Sequence, residues 1–196
     1  MNPTWSLGFL VTSLAFWPLS TWAHANSAQA GDILSGLAHP ASGLDHVLAM
    51  IAVGLWGAQL GLPALWILPV AFPMLMAVGG MLGLVGVQLP AVEIGIAVSA
   101  VILGALVVGQ IRLPLPAAVT IVTFFAVFHG HAHGKELEPG QDALLYSLGF
   151  VMGTGLLHGI GIAIGSLQRW EEGGTILRAT GGLIMTAGVY FLWDAL

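Results

Sequence analysis

Two short stretches hold most of the side chains able to bind a metal ion: HPASGLDH, residues 39–46, and FHGHAHGKE, residues 128–136. The first supplies His39, Asp45 and His46; the second supplies His129, His131, His133 and Glu136. Neutral imidazoles with carboxylates and no thiolate suit Ni(II), Co(II), Zn(II) or Cu(II) better than Mg(II) or Ca(II). On a helix, His129 and His133 share one face, with Glu136 a turn further along the same stripe and His131 directed elsewhere. His39 and His46 would stand about 10 Å apart along a straight helix, too far for one ion. Pro40 and Gly43 lie between them and predict a bent or non-helical link, with the helix proper starting near Asp45.

The surroundings of these groups are almost uncharged. The 196 residues are 57% hydrophobic and 7% charged, with a mean hydropathy of +0.94. A soluble domain carries about 25% charged residues. A chain of this size cannot hide so much apolar surface from water, so its solvent is expected to be lipid. Polar/apolar alternation with regular turns is missing, which argues against a β-barrel and for an all-α, polytopic membrane protein. With no cysteine, disulfides, thiolate metal sites and Fe–S clusters are excluded. Four basic residues against nine acidic ones give a net charge of −5 and no basic patch for nucleic acid. The seven histidines outnumber Lys and Arg together.

Hydrophobic runs supply the elements that must position the donors. Residues 1–23 end in Thr21-Trp22-Ala23 after an apolar stretch and resemble a secretory signal peptide, although the segment before the run has no Lys or Arg. Cleavage after Ala23 would leave His24 as a mature N-terminus and a possible ligand; otherwise the segment is an extra helix. Residues 24–196 are expected to form one domain of six transmembrane helices, over 42–62, 64–89, 91–110, 115–133, 142–167 and 174–194. Each run approaches the ~20 residues that cross ~30 Å of hydrocarbon. Gly- and Pro-rich breaks separate them, and Pro69 and Pro73 are expected to kink the second. Small-xxx-small pairs such as Gly79/Gly83, Gly130/Gly134 and Gly161/Gly165 predict close helix packing and carry no chemistry of their own.

With the mature N-terminus outside, Arg112, Arg169 and Arg178 fall on the inner side and Lys135 on the outer, which favours both termini outside. That topology gathers His39, Asp45, His46, Glu93, His129, His133 and Glu136 at the outer ends of their helices. Simpler roles compete: Asp45 as a helix cap, and Glu93 as the dipole partner of its helix. His158 lies deep in the fifth span. Its alternatives are a hydrogen bond to Thr154 or a neighbouring helix, and a second station on a path through the membrane.

The two stretches together resemble the signatures of the HupE/UreJ family, in motif order, spacing and number of spans. The resemblance implies bacterial membrane proteins associated with hydrogenase and urease operons and described as nickel or cobalt permeases. It further implies that His39, Asp45, His46, His129, His133 and Glu136 are needed for transport. Glu93, His131, His158 and His24 are added from position and chemistry alone. The function expected is a permease rather than an enzyme. It takes Ni(II) or Co(II) as substrate, holds no permanent cofactor, shows no sign of a nucleotide-binding subunit and has the lipid bilayer as its partner. Two rivals use the same donors: an intramembrane Zn-dependent hydrolase, although HExxH is missing, and a haem-binding electron carrier, which wants histidines facing each other at matching depth.

Overall fold

A computed structural model describes residues 31–135 and 140–196. Those residues form helices and no strand. Seven helices follow in order: α1 (Gly31–Ala41), α2 (Leu44–Leu60), α3 (Ala64–Leu84), α4 (Val92–Val108), α5 (Leu115–Lys135), α6 (Ala143–Gly165) and α7 (Gly173–Asp194). A short 3-10 turn, Ser166–Arg169, prolongs α6. Helices α3, α5, α6 with its turn, and α7 are long and apolar enough to cross a bilayer. The pair α1 and α2, bent by 81° at its break, passes the same test together, and α4 is a shorter apolar helix. Each run read from the sequence contains a helix, but that of the second, read over 64–89, ends at Leu84, where Val85 and Gly86 turn the chain. The unforeseen element is α1, which makes the first of them half of a bent pair. The signal-like segment 1–23, His24 and Glu136 lie outside the described residues.

The packing is that of a protein dissolved in lipid. Large apolar side chains cover the outside, among them Trp66, Val70, Met74, Met81, Leu156, Leu183 and Trp193. Histidines lie inside: His46, His129, His131, His133 and His158 are all buried. Helix α2 is enclosed on nearly every side from Ala52 to Gln59 and forms the axis of the bundle. A helix apolar all round belongs in such a position.

Three close pairings hold the other helices: α3 with α5, α4 with α7, and α2 with α6. Glycine makes the approach possible. A Cβ on Gly130 would overlap the Met76 backbone, and one on Gly54 would overlap the His158 carbonyl. The backbone of α5 is thereby pressed onto α3, and that of α6 onto α2, which fixes the rotation of the helices that carry His129, His133 and His158. Helix α1 closes one end of the bundle by packing on the start of α6. Asp32 accepts a hydrogen bond from the Asp142 backbone N–H at 3.1 Å. Asp142 in turn caps α6 by accepting from the N–H groups of Leu144 and Leu145.

Candidate metal-binding site

The break between α1 and α2 is written in the residues His39-Pro40-Ala41-Ser42-Gly43. Pro40 lies in the first turn of a 3-10 segment, His39–Ala41. Gly43 is extended, with φ −108° and ψ 119°, and α2 begins at Leu44. The chain thus folds His39 back over the start of α2, as the proline and glycine predict.

Asp45 does not cap α2 through its side chain. Its Oδ1 accepts from the His46 backbone N–H at 2.8 Å and from His46 Nδ1 at 2.9 Å. An ionised carboxylate can only accept, so the His46 proton is held on Nδ1 and Nε2 keeps its lone pair. That Nε2 is buried with no hydrogen-bond partner. A carboxylate behind an imidazole is the arrangement by which metal-binding histidines are oriented and made more basic.

A second relay sets His129. The Ser99 hydroxyl on α4 donates to the Ile96 carbonyl at 2.6 Å. Its one proton being used there, Ser99 Oγ accepts from His129 Nε2 at 2.9 Å. The lone pair of His129 then resides on Nδ1, again buried and without a partner.

The rings meet. His46 lies 4.7 Å from His129 and 4.4 Å from His133, centroid to centroid. His39 Nε2 and His133 Nδ1 share a hydrogen bond of 2.9 Å, which ties the 3-10 turn to α5. Phe72 borders the cluster on the His129 side and Phe150 on the His133 side, at 5.4 and 4.7 Å. A cavity of about 310 Å³ between α3, α5 and α6, mostly apolar, has His133 on its wall. Among the described residues no three His, Asp or Glu side chains converge on one ion-sized point. The imidazoles rest against each other, and an ion bound among them has to part the rings.

Of the residues singled out in the sequence, His39, Asp45, His46, His129 and His133 come together. His131 does not: its Nε2 donates to the Val87 carbonyl at 2.7 Å, on the far side of α5. Glu93 stands exposed in the first turn of α4, about 9 Å along the helix axis from Ser99. His158 lies deeper, with Phe72 between it and His129. Sequence reasoning missed Ser99 and Phe72. Each had a signal: Ser99 is the single hydroxyl of α4, and Phe72 adjoins Pro73 in a helix with two internal prolines.

Buried imidazoles inside a lipid-facing helical bundle define a polytopic membrane protein with a candidate cation site. The family model described as HupE / UreJ protein matches residues 11–191, and the chain belongs to that family. Its similarity to Protein HupE of Rhizobium leguminosarum bv. viciae is 44% identity over 184 residues, covering 93% of this chain and 96% of the relative. No solved structure matches it. The family is one of permease-like accessory proteins associated with hydrogenase and urease, not of enzymes.

Proposed function

We propose that this protein is a permease that carries Ni(II) or Co(II) inward across the bacterial plasma membrane and so supplies a hydrogenase or urease. The observation that carries the reading is the meeting of His46, His129 and His133, from two sequence-distant helices, with relays that leave lone pairs on His46 and His129. Leaving a buried polar group unpaired costs about 1–3 kcal/mol. Two such groups side by side are a large fraction of the 5–15 kcal/mol that holds a typical protein folded. A cation that takes up those lone pairs accounts for them.

In this reading His39, Asp45, His46, His129 and His133 capture the ion at the outer face. Glu93 or Glu136 supplies the further carboxylate that offsets its charge in low dielectric. His131, bonded to Val87, is left out of the ligand set, and His158 is a later stop. Both termini face outward. No nucleotide is needed. A doubly charged ion moving down 100 mV gains ~4.6 kcal/mol, at ~2.3 kcal/mol per charge, provided the site does not hold it too tightly. The hydrolase rival fails on the family; the haem carrier finds histidines on two helices facing each other, but rings 4.4–4.7 Å apart leave no space for a porphyrin between them.

The test is uptake of radiolabelled Ni(II) by cells lacking their own nickel transporters, with unlabelled Co(II) and Zn(II) as competitors. Uptake that needs the protein and is competed by Co(II) is expected. Cells that express it in the membrane yet gain no nickel or cobalt would refute the proposal.

A further inference from the structure

Inward of the histidine cluster, α6 carries buried residues at four-residue spacing: Phe150, Thr154 and His158. Phe150 packs on His133. Thr154 and His158 follow at steps of about 6 Å along the same face.

Thr154 is fully buried, and its Oγ1 has no hydrogen-bond partner. This departs from the behaviour of hydroxyls elsewhere in the chain. Thr120, Thr123, Thr180 and Thr186 each donate to the carbonyl four residues back, at 2.8–2.9 Å. Ser147 and Ser166 do the same. A helical threonine in an apolar setting normally quiets its hydroxyl in this way.

His158 is 1% exposed and makes no well-formed hydrogen bond at either ring nitrogen. Phe72 stands edge-on to it at 5.5 Å. The polar backbone group bearing on the ring is the carbonyl of Pro69 on α3. That carbonyl is available for a reason written in the sequence. Its helical partner would be the N–H of residue 73, and residue 73 is proline. A hydroxyl and an imidazole are thus left without a well-formed hydrogen bond in one part of the interior, where lipid offers no water to satisfy them, and the ring faces a helix carbonyl whose usual N–H partner is lost at Pro73. Packing does not require this, because valine would fill the place of Thr154 and alanine at 73 would restore the helix bond.

We propose that Thr154, His158 and the Pro69 carbonyl form an inner transit site for the divalent cation, which receives it from the outer histidines. The inference rests on the permease reading above. The donor set is weaker than the outer one: a single imidazole and two neutral oxygens, with no carboxylate. A pathway needs that order, since an ion must bind well enough to enter and loosely enough to leave. Phe72 touches both His129 and His158 and lies where the ion passes from one set to the other.

Thr154→Val and Pro73→Ala test the site without disturbing the outer histidines. The first removes the hydroxyl at constant shape, and the second returns an N–H to the Pro69 carbonyl. Purified proteins are compared for equilibrium Ni(II) binding and, in proteoliposomes with an inside-negative potential, for Ni(II) flux. Flux is expected to fall about tenfold in each variant, the scale of one lost polar contact. Ni(II) affinity at the outer site should be unchanged, and Thr154→Ser should recover flux. Wild-type flux in both variants overturns the inner site and leaves the permease intact. Parallel loss of binding and flux also overturns it, by assigning these residues to the fold. A wild-type protein that binds Ni(II) but carries none across overturns the permease reading itself.

Discussion

The two ends of this bundle are both polar, and they use their polar groups in opposite ways. At the end where α2 begins, relays from Asp45 and Ser99 fix the protons of His46 and His129 and leave lone pairs over. At the other end lies a cavity of about 310 Å³ lined by Gln59, Gln110, Arg112, Gln168, Trp170 and Glu171. There three side-chain donors tie helix ends together. Gln59 donates to the Val107 carbonyl at 3.2 Å, Gln168 to the Ala58 carbonyl at 2.7 Å and the Trp56 indole to the Ile111 carbonyl at 3.0 Å. Polarity in a membrane protein is therefore no guide to function until each donor and acceptor is accounted for. The histidine end holds unused acceptors on rings in mutual contact; at the glutamine end Gln59 Oε1 is also unpartnered, but the amide and indole donors beside it are bonded to backbone carbonyls.

That contrast can be broken by mutation. The largest effect is expected for His46→Ala and His129→Ala, each of which should reduce nickel uptake to background at equal membrane expression. Asp45→Asn keeps the shape but removes the charge behind His46 and no longer dictates which ring nitrogen holds its proton. Metal affinity should fall about 10- to 100-fold, the range for lost orienting partners, as read by equilibrium Ni(II) binding. Ser99→Ala should weaken binding by about threefold to tenfold, since His129 loses a neutral hydroxyl rather than a carboxylate. Gln168→Ala, at the opposite end, should lower stability by about 1 kcal/mol in thermal unfolding and leave uptake at the wild-type rate. Loss of uptake in that last variant would show that both ends take part in transport.

His131 sharpens the same point within one helix. It shares α5 with His129 and His133 and, like His129, keeps a buried Nδ1 without a hydrogen-bond partner, yet its Nε2–H is bonded to Val87, away from the other imidazoles. His131→Ala should destabilise the fold by about 1–3 kcal/mol without changing Ni(II) affinity. Spectroscopic titration of the purified variant checks this.

Much of the arrangement was legible in the sequence because it follows from local rules. Low charge and long apolar runs called for helices in lipid, and most helices fall where the Gly and Pro breaks put them, although α3 stops at Leu84, short of the break at Pro90. The i, i+4 spacing of His129 and His133 gave their common face, and Pro40 with Gly43 gave the bend that brings His39 back. What stayed hidden depends on contacts between distant segments. Helix α1 carries Asp32 and Ser35 and is too short and polar to read as part of a span; it is held at the start of α6 by Gln141 and the capping residue Asp142. The role of Ser99 needs α4 to lie against α5, and no spacing reports that. The Pro69 carbonyl was readable in principle, since Pro73 is four residues on, but only the packing of α6 reveals what faces it.

The central claim is that the buried imidazoles of α2 and α5 are what the metal binds. The direct measurement is X-ray absorption at the nickel edge on purified protein loaded with one equivalent of Ni(II), beside His46→Ala and His129→Ala. The account predicts nitrogen and oxygen ligation with the scattering signature of at least two imidazoles (about two or more), reduced in each variant. Nickel ligated by oxygen alone, or a spectrum unchanged by either substitution, would contradict it.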